Sequence, residues 1–109
     1  MNIKSQIENY LDKLKSDPNN KEILNEVAKF YFENKDFDKA LQTCIKITKI
    51  DPTDSNSFNN IGMLYKFKEN EVLAIENYKQ ALLHNPYNKQ ALNNLGVIYH
   101  KKNQFNKSI

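Results

Sequence analysis

The chain of 109 residues has no arginine and no tryptophan, and it has only one cysteine, two glycines and three prolines. Its net charge of +3 is carried by lysine alone, so the bidentate guanidinium forks that read phosphate and guanine are absent, and we expect no nucleic-acid partner. The lone Cys44 cannot form an internal disulfide, and with only two histidines it cannot complete a zinc site. We therefore expect a reducing compartment, the cytoplasm, with the nucleus as the alternative.

Long apolar runs are also missing. None approaches the roughly 18 residues of a membrane-spanning helix, and the polar stretch after Met1 lacks the features of a secretory signal, so we expect no membrane association. The scarcity of glycine and proline disfavours a β-sandwich and favours helices. Six Phe and six Tyr residues supply apolar material for the one modest core that a chain of this length can bury.

The prolines mark an internal repeat. Pro18, Pro52 and Pro86 are spaced 34 residues apart, and five further sets of positions share this period. The sets are Tyr31, Tyr65 and Tyr99; Ala28, Gly62 and Gly96; Val27, Ile61 and Leu95; Leu24, Phe58 and Leu92; and Ala40, Ala74 and Ser108. A period of this length indicates stacked supersecondary units. We divide a single repeat domain, 1–109, into an N-terminal capping helix at 1–20, repeats at 21–54 and 55–88, and a truncated repeat at 89–109.

Each complete unit is predicted to contain two helices. In residues 55–88, apolar residues recur at i, i+3, i+4 and i+7 from Phe58 to Tyr65, a polar break follows, and a second apolar stripe begins at Val72. An asparagine or aspartate two residues after each proline is placed to cap the next helix. These capping residues are Asn20, Asp54 and Asn88.

A small residue recurs where the two helices of a unit should cross. Ala28, Gly62 and Gly96 occupy equivalent positions, and glycine inside a helix costs about 1 kcal/mol relative to alanine, so its recurrence requires a steric reason. Helix axes that pack about 8–10 Å apart leave no room for a large side chain at the crossing. We therefore expect all three residues to face bulkier residues of the second helix.

This pattern resembles the tetratricopeptide repeat. The segments NNIGMLY at 59–65, NNLGVIY at 93–99 and AIENYKQALLHNP at 74–86 carry the resemblance, which covers essentially the whole chain. It implies an all-α fold, a right-handed α-α superhelix (solenoid) of stacked antiparallel helix pairs, with about six helices plus a short C-terminal stub. It also implies a non-catalytic protein–protein interaction scaffold that binds a peptide or partner segment in a concave groove.

The last unit departs from the pattern, because only Phe105 to Ile109 correspond to its second helix. So short a helical segment is unstable alone, and we expect Leu92, Leu95 and Tyr99 to be partly exposed. Repeat arrays normally end in a capping unit. Two interpretations stay open: the chain is a fragment of a longer array, or a second chain covers this uncapped end, as in a homo-oligomer.

The resemblance places the first helix of each pair along the groove, where seven residues are candidate peptide contacts. They are Asn25, Lys29, Asn60, Met63, Phe67, Asn94 and Lys101. Asn60 and Asn94 are 34 residues apart, and an amide can both donate to and accept from a peptide backbone. Met63 and Phe67, one turn apart, could form an apolar pocket. The alternatives are that the asparagines are merely solvated and that Met63 and Phe67 pack against neighbouring helices.

Nothing in the sequence indicates catalysis. His84 and His100 lie on different predicted helices, Cys44 lies on an apolar stripe, and both glycines lie inside helices instead of a phosphate-binding loop. We predict no enzyme activity, no catalytic residue, no metal and no cofactor. Two alternatives to the scaffold remain: a substrate-targeting fragment of a larger enzyme such as a protein O-glycosyltransferase, or a self-associating assembly unit.

One specialised form of the family is disfavoured. Some members clamp the acidic C-terminal tail of chaperones with lysines, asparagines and an arginine at fixed positions. Of that set, only Asn60 is matched in place, and the chain has no arginine.

Overall fold

The structure, a computed structural model, describes the backbone of residues 3–107 and the side chains of residues 5–103. Six α-helices follow one another, and no strand occurs within the described backbone, so the all-α class is confirmed. The helices are α1 (Ile3–Ser16), α2 (Lys21–Glu33), α3 (Phe37–Ile50), α4 (Ser55–Phe67), α5 (Glu71–His84) and α6 (Lys89–Lys107). They form two compact units: unit one, Met1–Pro52, and unit two, Thr53–Ile109.

Side-chain caps begin the helices where the sequence predicts them. The carboxamide or carboxylate oxygens of Asn20, Asp54 and Asn88 accept hydrogen bonds from backbone N–H groups three residues later, each at 3.1 Å. Each bond satisfies one of the N–H groups that a helix start leaves without an intrahelical partner. The three capping predictions are therefore confirmed, and the caps fix where α2, α4 and α6 begin.

Helices α2 and α3 run antiparallel, and so do α4 and α5. In unit one, Lys21 Nζ at the start of α2 donates to Asp51 Oδ2 at the end of α3, at 2.8 Å. In unit two, the Phe58 ring near the start of α4 stacks on the His84 ring at the end of α5, with centroids 5.4 Å apart. The pairing of helices α2 with α3 and α4 with α5 thus agrees with the predicted repeat.

Unit one has its core between α2 and α3. The buried residues there are Leu24, Val27, Ala28, Ala40, Cys44 and Ile47, and α1 adds Ile7. Cys44 therefore lies in the core, as its position on an apolar stripe predicts. A thiol in this setting packs as a small apolar group.

The core of unit two centres on Tyr78, whose side chain is fully buried against α4. A Cβ atom placed on Gly62 would lie 2.6 Å from Tyr78 Cε1, closer than real Cβ contacts allow. The glycine is therefore required by the ring, and the predicted crossing is confirmed at this position. The residues equivalent to Gly62 and Tyr78 in unit one are Ala28 and Cys44. The first-helix residue is therefore larger in unit one, and the second-helix residue is smaller.

The prediction for Gly96 is wrong. A Cβ atom there would meet nothing within 4 Å, and the residue is exposed on α6. The neighbouring Leu92 and Tyr99 are 50% and 40% exposed, and Leu95 is partly buried against the cluster of Ala74, Tyr78 and Ile98, so the expected partial exposure of all three is confirmed. Gly96 is open because no second helix among the described residues returns across α6.

The prediction of a separate C-terminal stub from Phe105 is also wrong, because α6 continues without a break to Lys107. In the two preceding repeats the chain reverses at Lys35 and Glu69, which adopt a left-handed backbone with φ of 61°. The equivalent Asn103 stays helical. A chain reversal is stabilised when the second helix packs on the first. Where no described helix packs on α6, each residue that extends α6 instead gains a backbone hydrogen bond.

Burial of Tyr78 gives the unit a pH-dependent stability. Its phenol Oη is buried and makes no hydrogen bond within the described part of the chain, and desolvation raises the pKa of Tyr78 above the ordinary value near 10. The folded protein keeps a proton that the unfolded chain releases, so stability falls as the pH rises past about 10.

We expect Tyr78→Phe to be neutral or stabilising near pH 8, because it removes a buried hydroxyl that makes no hydrogen bond to the described residues. Its advantage over the parent chain should grow between about pH 9 and pH 11, where only the parent has the phenol to ionise. Urea unfolding of both proteins across this range measures the difference, and a difference independent of pH would contradict the prediction.

Candidate peptide-binding face

A buried amide, Asn59, joins α4 to α6, the first helices of two successive repeats in unit two. Its side chain is completely buried, its Nδ2 donates to Gln90 Oε1 at 3.3 Å, and its Oδ1 accepts from Asn94 Nδ2 at 2.9 Å. The same Nδ2 lies 3.8 Å from Met63 Sδ, a weak acceptor. Asn59 therefore fixes the side chains of α6 that the sequence places on the predicted binding face.

A second polar cluster sets the spacing of the same two helices near their starts. Asn88 Nδ2 donates to Ser55 Oγ at 2.8 Å and to Asn56 Oδ1 at 3.3 Å. Ser55 Oγ in turn donates to the backbone carbonyl of Ala81 at 2.7 Å. Asn88 thus caps α6 with its oxygen and holds α4 with its nitrogen, so the two helices are joined at two levels.

The two candidate asparagines of unit two have different surroundings. Asn94 uses an N–H of its amide on Asn59, which leaves its Oδ1 to accept from a ligand, since this oxygen has no hydrogen bond to the described residues. Asn60 is half-buried on α4, one residue after the buried Asn59. Asn94 is therefore not merely solvated, whereas for Asn60 that alternative stays open, and the role of both in binding stays a prediction.

The apolar pair of candidates is divided between core and surface. Met63 packs against the cluster of Ala74, Tyr78 and Ile98, whereas Phe67 is 56% exposed. The alternative, that these residues pack against neighbouring helices, thus describes Met63. Phe67 remains an exposed apolar side chain one helical turn further along α4.

Lys101 lines a shallow pocket of about 220 Å³ in unit two. The pocket lies between α4, α5 and α6, and its other lining residues are Lys66, Glu69, Glu71, Val97 and Ile98. Glu71 forms an ion pair with Lys102, with Oε1 and Nζ 3.1 Å apart. The pocket therefore offers the ammonium groups of Lys66 and Lys101 and the carboxylate of Glu69, beside the apolar side chain of Val97. Lysines so placed can attract a carboxylate.

In unit one, the candidates Asn25 and Lys29 are exposed and lie one turn apart on α2. A wider depression of about 550 Å³ lies elsewhere in this unit, between α1, α2 and α3. Its lining residues are Ile7, Glu8, Leu11, Phe30, Tyr31, Asn34, Asp36 and Lys39. The repeating sequence pattern gives no sign of this depression, because it depends on how α1 packs against α2.

Two further properties concern the described part of the chain as a whole. Among these residues, no three His, Cys, Asp or Glu side chains come together in a way that could hold a metal ion. The helices described here are all too short or too polar to cross a membrane.

Family models establish where this fold belongs. Tetratricopeptide repeat models match residues 6–59, 55–88 and 77–109. The chain belongs to the tetratricopeptide repeat family, as the sequence pattern predicts. No curated protein matches the sequence significantly.

Solved structures show the same fold. The crystal structure of MamA superposes with a TM-score of 0.83 at 25% identity, over 96% of this chain and 61% of that chain. The first TPR of Spaghetti (RPAP3) bound to the HSP90 peptide SRMEEVD gives 0.82 at 22% identity, over 91% and 79%. YrrB, a TPR protein with an unusual peptide-binding site, gives 0.77 at 24% identity, over 84% and 47%. The chain thus spans less than two thirds of the MamA chain.

Proposed function

We propose that this chain is a non-catalytic protein-interaction scaffold that binds an extended peptide segment on the peptide face of unit two. We define the peptide face as Asn60, Phe67, Asn94, Val97 and Lys101. The observation that carries the proposal is the bond from Asn94 to the buried Asn59, which orients an amide before any ligand arrives. An oriented side chain loses less entropy on binding than a mobile one.

The chemistry of the face indicates the class of ligand. The Oδ1 of Asn94 can accept from a peptide N–H, and Phe67 and Val97 offer exposed apolar surface. Glu71 is paired with Lys102, so Lys66 and Lys101 outnumber the other carboxylate of this pocket, Glu69, and favour a carboxylate on the ligand. We therefore propose an extended peptide with alternating apolar and acidic side chains. The peptide-bound structure of RPAP3 and the peptide-binding site of YrrB support a peptide ligand for this fold.

The test is a peptide array of such sequences, followed by titration of the best binder with the parent chain and the double variant Asn60→Ala/Asn94→Ala. We expect the double variant to bind at least about tenfold more weakly, the equivalent of one or two lost hydrogen bonds. The control is Gln80→Ala/Asn103→Ala, which changes two exposed amides outside the peptide face. Equal affinity of the parent and the Asn60/Asn94 variant would reject the proposed face.

We also propose a cytoplasmic or nuclear location. Its support is the single buried thiol of Cys44, which suits a reducing compartment. Immunolocalisation of the tagged chain in its native cells tests this, and a secreted product would contradict it.

A further inference from the structure

The depression in unit one lies between two helices that share a neighbour without touching each other. Helices α1 and α3 both pack on α2, but among the described residues no Cα atom of α1 lies within 8 Å of one of α3. The depression of about 550 Å³ occupies this gap, and its volume is typical of a ligand site. We call it the unit-one depression. The peptide face belongs to unit two, so the two are separate sites.

Four of the side chains that line the unit-one depression are aliphatic or aromatic. Ile7 and Leu11 lie one turn apart on α1, and Ile7 is buried whereas Leu11 is 39% exposed. On α2, the half-buried rings of Phe30 and Tyr31 meet edge to face, with centroids 5.9 Å apart. A ligand in the depression can therefore cover apolar surface and contact aromatic rings.

One of these rings already carries a cation on its face. Lys39 Nζ lies 5.7 Å from the centroid of the Tyr31 ring and 3.8 Å from Asp36 Oδ2. Both side chains of this ion pair are at least 40% exposed, so the pair is weak and another cation can replace the lysine. A guanidinium is the better occupant, because it is planar and more weakly hydrated than an ammonium and stacks on aromatic faces.

The charges of the unit-one depression also favour a cation. Its charged lining residues are two carboxylates, Glu8 and Asp36, and one ammonium, Lys39. Since Lys39 is paired with Asp36, the carboxylate of Glu8 is the charge in excess. The side chain of Asn34 presents its oxygen as a further acceptor, because its Nδ2 donates to the backbone carbonyl of Phe30 at 2.9 Å. This preference is opposite to that of the peptide face.

Comparison with the next repeat indicates that the fold does not require these carboxylates. The residues 34 positions after Glu8 and Asp36 are the amides Gln42 and Asn70. Asn70 Oδ1 caps α5 just as Asp36 Oδ1 caps α3, with distances of 3.1 and 3.3 Å to the backbone nitrogens. The cap thus needs an oxygen but no charge. The tyrosine of the depression, by contrast, belongs to the recurring pattern, since Tyr31 is repeated as Tyr65.

We propose that the unit-one depression binds an arginine side chain of a partner protein, flanked by apolar residues in the partner's sequence. The guanidinium takes the place of the Lys39 ammonium over the Tyr31 ring and donates to the carboxylate of Glu8 or Asp36. The flanking apolar side chains cover Leu11. The chain then holds a basic segment in unit one, in addition to the acidic peptide proposed for unit two.

The probe is the peptide acetyl-Leu-Arg-Leu-amide, titrated into the intact, isotopically labelled chain and followed by NMR. Peptides with glutamine or glutamate in place of the arginine are the matched probes, and acetyl-arginine-amide tests the flanking leucines. We expect the arginine peptide to shift the backbone amides of Tyr31 and Asp36. It should bind at least about threefold more tightly than each of the other three probes, as one cation–π contact or one exposed ion pair would give.

Two variants should move the affinity in opposite directions. Glu8→Gln/Asp36→Asn carries the residues of the next repeat, keeps the cap of α3 and should weaken the arginine peptide about fivefold. Lys39→Gln removes the competing cation and should strengthen it about twofold, a gain that a merely disturbed fold would not produce. The control is Glu22→Gln/Glu26→Gln, which removes two exposed carboxylates near the other end of α2 and should leave the affinity unchanged.

Any of three results would overturn the proposal. The first is equal affinity for the arginine and glutamine peptides, or no binding of either at millimolar concentration. The second is unchanged affinity in Glu8→Gln/Asp36→Asn. The third is equal affinity for acetyl-arginine-amide, since the depression would then be a small-molecule site. The Asn60→Ala/Asn94→Ala chain should bind the arginine peptide as the parent does, so failure of either proposal leaves the other standing.

Discussion

Gly62→Leu is expected to lower the free energy of unfolding by about 1–3 kcal/mol, the usual cost of overpacking a core. The first added carbon would already lie 2.6 Å from the ring of Tyr78 and 3.1 Å from the carbonyl oxygen of Ala74. The ring is fully buried and cannot move into solvent without loss of the core contacts of α5. Relief must therefore come from separation of α4 and α5.

The matched control is the same substitution 34 residues later. Gly96→Leu adds its side chain to open space and replaces a poor helix former, so we expect it to raise the free energy of unfolding by about 0.5–1 kcal/mol. Urea unfolding followed by circular dichroism measures both changes. Effects of the same sign at Gly62 and Gly96 would show that the ring contact of Tyr78 does not control the crossing.

Asn59→Ala is expected to cost about 1–3 kcal/mol of stability, because it removes the partner of two amides and leaves a cavity at a completely buried position. The control is Asn93→Ala, which lies at the equivalent position of the next repeat and is exposed. An exposed substitution of this kind changes stability by less than about 0.5 kcal/mol.

The same variant links stability to binding. Without Asn59, the side chain of Asn94 loses its fixed orientation, so peptide affinity should fall even though Asn59 itself is inaccessible to a ligand. Thermal unfolding and peptide titration of Asn59→Ala test the two effects side by side. A stable variant with unchanged peptide affinity would rule out the orienting role.

Much of the fold could be predicted because apolar and small residues recur with the period of the repeat. The period of the prolines and the column containing Gly62 predicted the helix pairs and their crossing, and Cys44 was correctly placed in the core. These features depend on contacts between helices that are neighbours in the chain. Such contacts recur with the period itself.

The candidate site was less predictable, because residues at equivalent positions have different neighbours. Asn59 is buried under α6, whereas Asn93 is exposed because no described helix stacks on it. Both residues precede the same motif, so the local sequence gives no sign of the difference. The open surface at Gly96 and the unbroken α6 were missed for the same reason, since the repeat pattern assumes a second helix in every unit.

The two residues at the helix crossing differ together between repeats: one repeat has Ala28 with Cys44, and the next has Gly62 with Tyr78. This joint difference has a consequence for how such arrays diverge. A larger residue on one helix becomes tolerable at the crossing once the facing residue on the other helix is smaller. Substitutions at the two positions should therefore be correlated. A consensus that scores each position separately counts Ala28 and Cys44 as two defects. Judged as a pair, they are one alternative solution, in which a larger residue on the first helix accompanies a smaller residue on the second.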